Sequence, residues 1–93
     1  LILHTIEVIM ISSDQIKESI EALLPCEWIQ VEGEDGRHFN AVIVSAQFVG
    51  KTMVQQHQLV YRALCERMKN DIHALSMKTF TPEQWANAQL GKQ

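Results

Sequence analysis

Three observations place this 93-residue chain among the α+β folds, with helices packed on one face of a small three-stranded sheet. Two segments that alternate apolar and polar residues stand either side of a short turn signal, as a hairpin does. A third alternating segment follows much later, beyond a long stretch of helical spacing. Three segments carry helix start signals or a helical apolar stripe, and they fall between and around the strands in the order α-β-β-α-β-α.

The first helix begins at Ser12, an N-cap whose capping-box partner is Gln15, with Ile11 and Ile16 spaced as a hydrophobic staple. Ile16, Ile20, Leu23 and Leu24 form its apolar stripe, and Pro25 ends it. "EWIQVE" then alternates Ile29 and Val31 against Trp28, Gln30 and Glu32. Asp35-Gly36 signals a turn, and "HFNAVIVS" sets Phe39, Ala41 and Ile43 against His38, Asn40, Val42 and Val44. After a connection containing Gly50, a helix is expected from Lys51 to Lys69, with Met53, His57, Val60, Tyr61, Leu64 and Met68 on its buried face. "NDIHALSMKTF" reads as the third strand, with His73, Leu75, Met77 and Thr79 on one side. Thr81, Pro82 and Gln84 start a last helix that Trp85 anchors to the body.

The opening "LILHTIEVIMI" is apolar but too short to span a bilayer, and it lacks the basic start of a signal peptide. Residues 1–11 are expected to be an extension or leader, non-native or disordered, although residues 1–9 could instead add an edge strand. Residues 12–90 are expected to form a single domain. Cys26 and Cys65 have no paired spacing, which favours a reducing compartment over a disulfide scaffold and makes the expected location cytoplasmic.

Net charge is −3, so no general attraction to nucleic acid or an anionic membrane is expected. The charge is unevenly spread. Residues 1–36 carry eight acids against one base, and residues 37–93 carry seven bases against three acids. Such asymmetry permits a basic face, although a solvated surface without a partner is the commoner outcome.

The usual enzyme signatures are missing. "VGKT" at Val49–Thr52 resembles the end of a P-loop, but Ser45 stands where the motif needs its first glycine. There is no H-E-x-x-H helix or nucleophile elbow, and Glu34 and Asp35 fall in an exposed turn. The chain is therefore expected not to be an enzyme. His57 reads as a half-buried structural histidine. His38 and His73 each open a strand. If those strands are adjacent and parallel, both rings stand at one end of the sheet, where two imidazoles could ligate a borderline metal centre. Two independent surface histidines remain the plainer alternative on spacing alone.

Four stretches in order resemble the BolA family: "VS…F.GK" over Val44–Lys51, "QHQLVY" over Gln56–Tyr61, "IHALSMKT" over Ile72–Thr79 and "TPEQW" over Thr81–Trp85. The resemblance covers about Ser12 to Ala88, and the short "GEDGRHF" loop looks most like the IbaG-type bacterial branch. It implies a mixed three-stranded sheet similar to a class II KH domain. It also implies partnership with a monothiol glutaredoxin in iron–sulfur cluster trafficking or iron regulation. The shared two-iron, two-sulfur cluster would take a cysteine thiolate from the glutaredoxin and a glutathione thiolate. This chain would supply His73, with His38 as candidate second ligand because the loop 33–37 holds neither Cys nor His. No resident cofactor is expected in the isolated chain, which would be a monomer or weak homodimer. His57 and Tyr61 are assigned to structure.

The rival reading is a DNA-binding transcriptional regulator, as proposed for some relatives of this stress-response family. Lys51, Arg62, Arg67, Lys69 and Lys78 would be its phosphate contacts. Against it stands "FVGK", which has only one glycine where a KH domain clamps its ligand with G-x-x-G.

Overall fold

The structure is a computed structural model that describes residues 11–33, 38–64 and 74–91. In chain order these form α1 (Ser13–Leu23), β1 (Trp28–Glu32), β2 (His38–Val44), a 3-10 turn (Ala46–Phe48), α2 (Met53–Leu64), β3 (Ala74–Phe80) and α3 (Pro82–Leu90). The sheet order is β1-β2-β3, with β1 antiparallel and β3 parallel to β2. The α+β class, the hairpin and the mixed three-stranded sheet are thus all present. The Asp35-Gly36 turn, the expected helical stretch beyond Leu64 and the start of the third strand lie outside the described residues.

One device starts all three described helices. A Ser or Thr hydroxyl accepts from the backbone N–H three residues on, and a Gln side chain there accepts from the cap's own N–H. The pairs are Ser12 with Gln15, Thr52 with Gln55, and Thr81 with Gln84. Gly50 adopts φ +78° just before the second cap, a conformation that favours glycine. "VGKT" is therefore a helix entry.

The core lies between α1, α2 and one sheet face. Ile16, Ile20 and Leu24 from α1 and its end meet Ile29, Phe39, Ala41 and Ile43 from the sheet, with Phe48 from the 3-10 turn and Val60 and Leu64 from α2. Ile11 joins them, so the segment read as an extension contributes a core residue at its last position. Two expectations are corrected here. Leu23 is 64 % exposed, because the helical stripe already closes through Leu24. On α2 the buried residues are Gln56, Val60, Ala63 and Leu64, while Met53 is 68 % and Tyr61 41 % exposed. The helix is rotated from the expected face because a polar residue, Gln56, occupies a core position.

Gln56 earns that position by hydrogen bonding. Its Nε2 donates to the Lys51 carbonyl at 2.9 Å and faces the Phe48 carbonyl at 3.4 Å, and its Oε1 accepts from the Thr79 hydroxyl. One amide thus ties the connection after β2 to α2 and β3. Gln56→Leu would leave these groups buried and unsatisfied, with an expected loss of about 2–3 kcal/mol. The check is a lower urea midpoint at unchanged m-value. Gln56→Leu combined with Thr79→Val should recover part of the loss, since an apolar pair leaves fewer orphaned groups.

The helices do not all share one face. Register places Trp28, Val44 and Phe80 side by side on the face away from the core. Thr81 alone separates Phe80 from α3, and Trp85 stacks on Trp28 with ring centroids 4.9 Å apart and meets Phe80 edge-on at 5.2 Å. α3 therefore caps one end of the second face, drawn there by aromatic contact.

Candidate functional site

The strand register fixes the geometry of the candidate metal end. β2 and β3 run parallel, and His38 is the partner of Ala74 across the ladder. The condition set for two imidazoles at one sheet end is therefore met by the strands. His38 is exposed at the head of β2. His73 immediately precedes Ala74 in the chain and lies outside the described residues. Beyond the His38–Ala74 pair, the second face continues as ordered rungs: Glu32–Asn40–Ser76, then Gln30–Val42–Lys78, then Trp28–Val44–Phe80.

The local chain explains why β2 begins where it does. Gly33 follows β1, and a Cβ there would lie 2.4 Å from Phe39 Cδ1 and 2.7 Å from the His38 carbonyl oxygen. Only a residue without a side chain lets the backbone pass this close to the strand head. Phe39 then fills the core while His38, one residue back, faces out.

Among the described residues, no three His, Cys, Asp or Glu side chains gather into a group able to hold a metal ion. Cys26 is poorly suited to ligation. Its thiol packs against the core, donates to the Leu24 carbonyl at 3.1 Å, and is pushed up to about 11 by burial and by the nearby Glu21 charge. A metal-binding thiolate requires the opposite shift. Against the ordinary value of 9.0, a pKa of about 11 leaves about 100-fold less thiolate at pH 8. Native Cys26 should therefore react slowly with iodoacetamide at that pH and much faster in urea, as peptide mapping would show. Because the folded pKa is raised, the stabilising preference for the neutral thiol is full below about pH 9 and is lost as pH rises towards about 11.

The candidate phosphate contacts do not form one surface. Lys51 and Arg62 share a groove of about 240 Å³ with Gln55, Gln58 and Leu59. Lys78 instead stands on the second face of the sheet, beside Val42 and the α3 cleft. Arg67 and Lys69 lie outside the described residues. Among the described residues, no helix is long and apolar enough to cross a membrane.

Sequence reading named Trp85 as an anchor but missed the cleft it builds. That cleft combines Trp28 and Gln30 from β1, Val42 from β2, Lys78 and Phe80 from β3, and residues of α3. The available signal was parity: Trp28, Val42 and Phe80 are apolar residues on the strand side otherwise given to polar ones.

Comparison with known proteins agrees with this architecture. The family model described as "BolA-like protein" matches residues 4–84, beginning inside the apolar N-terminal segment. The mouse "BolA-like protein 2" is 38 % identical over 79 residues, covering 81 % of this chain and 91 % of that protein. The "DNA-binding transcriptional regulator BolA" of Escherichia coli K12 is 28 % identical over 89 residues, covering 86 % and 85 % respectively. Among solved structures, a Bol-like protein from Babesia bovis superposes with TM-score 0.77 at 35 % identity, covering 86 % of this chain and 95 % of that one. A BolA homologue from Coxiella burnetii gives 0.70 at 40 %, covering 83 % and 99 %. With a family model spanning most of its length and relatives of this identity in bacteria and eukaryotes, the chain belongs to the BolA family.

Proposed function

We propose that this chain is the histidine-donating partner of a monothiol glutaredoxin, sharing a two-iron, two-sulfur cluster in cytoplasmic iron–sulfur trafficking or iron regulation. The observation that carries the reading is the parallel pairing of β2 and β3, which puts exposed His38 opposite the residue that follows His73 in the chain. Imidazole in place of thiolate makes a cluster less negative and raises its potential. Such a cluster suits transfer or sensing better than fixed electron carriage. The protein in this role binds and releases cargo and catalyses no bond-making of its own. The test is visible circular dichroism while a cluster-loaded monothiol glutaredoxin, with glutathione, is titrated with this chain. A new spectrum that saturates supports the reading, and an unchanged spectrum defeats it.

A second reading is favoured by the printed names of relatives. Both the Escherichia coli protein and one from Haemophilus influenzae, 50 % identical over 48 residues, are DNA-binding transcriptional regulators by name. In this chain Lys51 and Arg62 would be the phosphate contacts that share a surface. DNA binding would weaken steeply with added salt, whereas cluster sharing would depend on glutathione.

A further inference from the structure

We propose that the cleft between α3 and the second face of the sheet binds a small planar aromatic molecule carrying a single negative charge, an aryl monocarboxylate in chemical class. This site is distinct from the histidine end of the sheet and does not rest on the cluster reading.

The cleft is large enough for such a ligand, at about 450 Å³, within the range usual for small-molecule sites. Its position is held by the fold. α3 follows β3 after Thr81 alone, its first turn is locked by the Thr81–Gln84 capping box, and Trp85 is stacked on Trp28. Little ordering remains to be done on binding, which favours even a small ligand.

The lining supplies each part of the recognition. Trp28, Phe80 and Trp85 present aromatic surface, and Val42 and Ala88 add aliphatic surface. Aromatic rings prefer such neighbours in offset or edge-on arrangement. Lys78 is the one charged residue among the described residues of the lining, and it is exposed on the rung next to Trp28–Val44–Phe80. Gln30 and Gln89 add amides that donate and accept.

Charge number is set by the next rung. Glu32 accepts a hydrogen bond from the Gln30 amide and lines, with Lys78, an adjoining cavity over Asn40 and Ser76. Lys78 offers one positive charge among the described residues of the cleft, and Glu32 on the next rung opposes any further negative charge. A dianion or a polyphosphate chain would bring its further charge towards Glu32, which repels it.

The chain contains two tryptophans, and both are in this cleft, so their indole N–H resonances report on it directly. The experiment titrates the isotopically labelled protein with 2-naphthoate, naphthalene-2-carboxamide, cyclohexanecarboxylate and 5′-AMP. For 2-naphthoate, saturating shifts of both indole signals are expected, with Kd about 0.1–1 mM for a ligand of this size. The neutral amide and the non-aromatic acid should each bind about five-fold more weakly or worse, the scale of one exposed ion pair or ring contact. Lys78→Ala should bring naphthoate down to or below the level of its amide, because Glu32 then stands unopposed, while leaving the amide unchanged, and Lys78→Arg should restore the preference for the acid. Equal affinity for acid and amide, tighter binding of 5′-AMP, or shifts that never saturate would each overturn the proposal. The titration needs neither glutaredoxin nor cluster, so its failure is separable from failure of the cluster reading.

Discussion

Gly33→Ala is expected to destabilise the fold by about 3 kcal/mol, the upper end of what overpacking a core costs. The added methyl would stand 2.4 Å from Phe39 Cδ1, 2.9 Å from its Cε1 and 2.7 Å from the His38 carbonyl oxygen. A flexible side chain at its tip could swing aside. Phe39 cannot do so cheaply, because it is among the largest fully enclosed side chains in the core. The carbonyl belongs to the first residue of β2, so relieving that contact shifts the strand head itself. Urea unfolding followed by circular dichroism measures the loss. Phe39→Leu would remove ring atoms that the methyl strikes, so the double variant should lose less than the sum of the two single losses. A Gly33→Ala protein with the wild-type midpoint would mean that β1 and β2 do not approach this closely in solution.

Local signals carried well from sequence to structure. Each capping box is complete within four residues, so the starts at Ser12 and Thr81 could be read without knowing the rest of the fold, while the Thr52–Gln55 box starts α2 at Met53 and not at the expected Lys51. Strand parity carried for the same reason: Ile29, Phe39, Ala41 and Ile43 are buried where alternation put them. Non-local choices did not carry. Which side of α2 faces inward depends on whether the core can satisfy an amide, and the groups that bond Gln56 come from Phe48, Lys51 and Thr79. A hydrophobicity pattern ranks Met53 and Tyr61 above glutamine and so turns the helix the wrong way. The placement of α3 depends on register, since Trp28 and Phe80 become neighbours of Val44 only through two ladders. Of the candidate site, His38 and His73 could be named from sequence, and of these the structure describes His38, at the head of β2. That β3 pairs with β2 in parallel had to be found in the structure, because nothing in either strand alone dictates its partner.

His73→Ala is expected to abolish the shared-cluster spectrum with monothiol glutaredoxin while leaving the unfolding free energy within about 0.5 kcal/mol of wild type, as for a substitution that removes no core packing. The argument combines the strand register with the chemistry of imidazole. His73 precedes Ala74, and Ala74 pairs with exposed His38 at the end of the sheet away from α3 and the Trp28–Val44–Phe80 rung. A ligand lost from such a cluster leaves an iron to be filled by water or by a second glutathione, either of which gives a different visible spectrum. His38→Ala should act in the same direction but less completely if His38 is the second ligand, and it should have no effect if two independent histidines merely share the sheet end. The two variants therefore divide the readings. Loss with His73→Ala alone assigns one imidazole to this chain. Loss with both assigns two, and makes the parallel β2–β3 pairing the feature that builds the site. Wild-type spectra from both variants would remove histidine ligation from the proposed function. An unfolded His73→Ala protein would show instead that the ring belongs to the core.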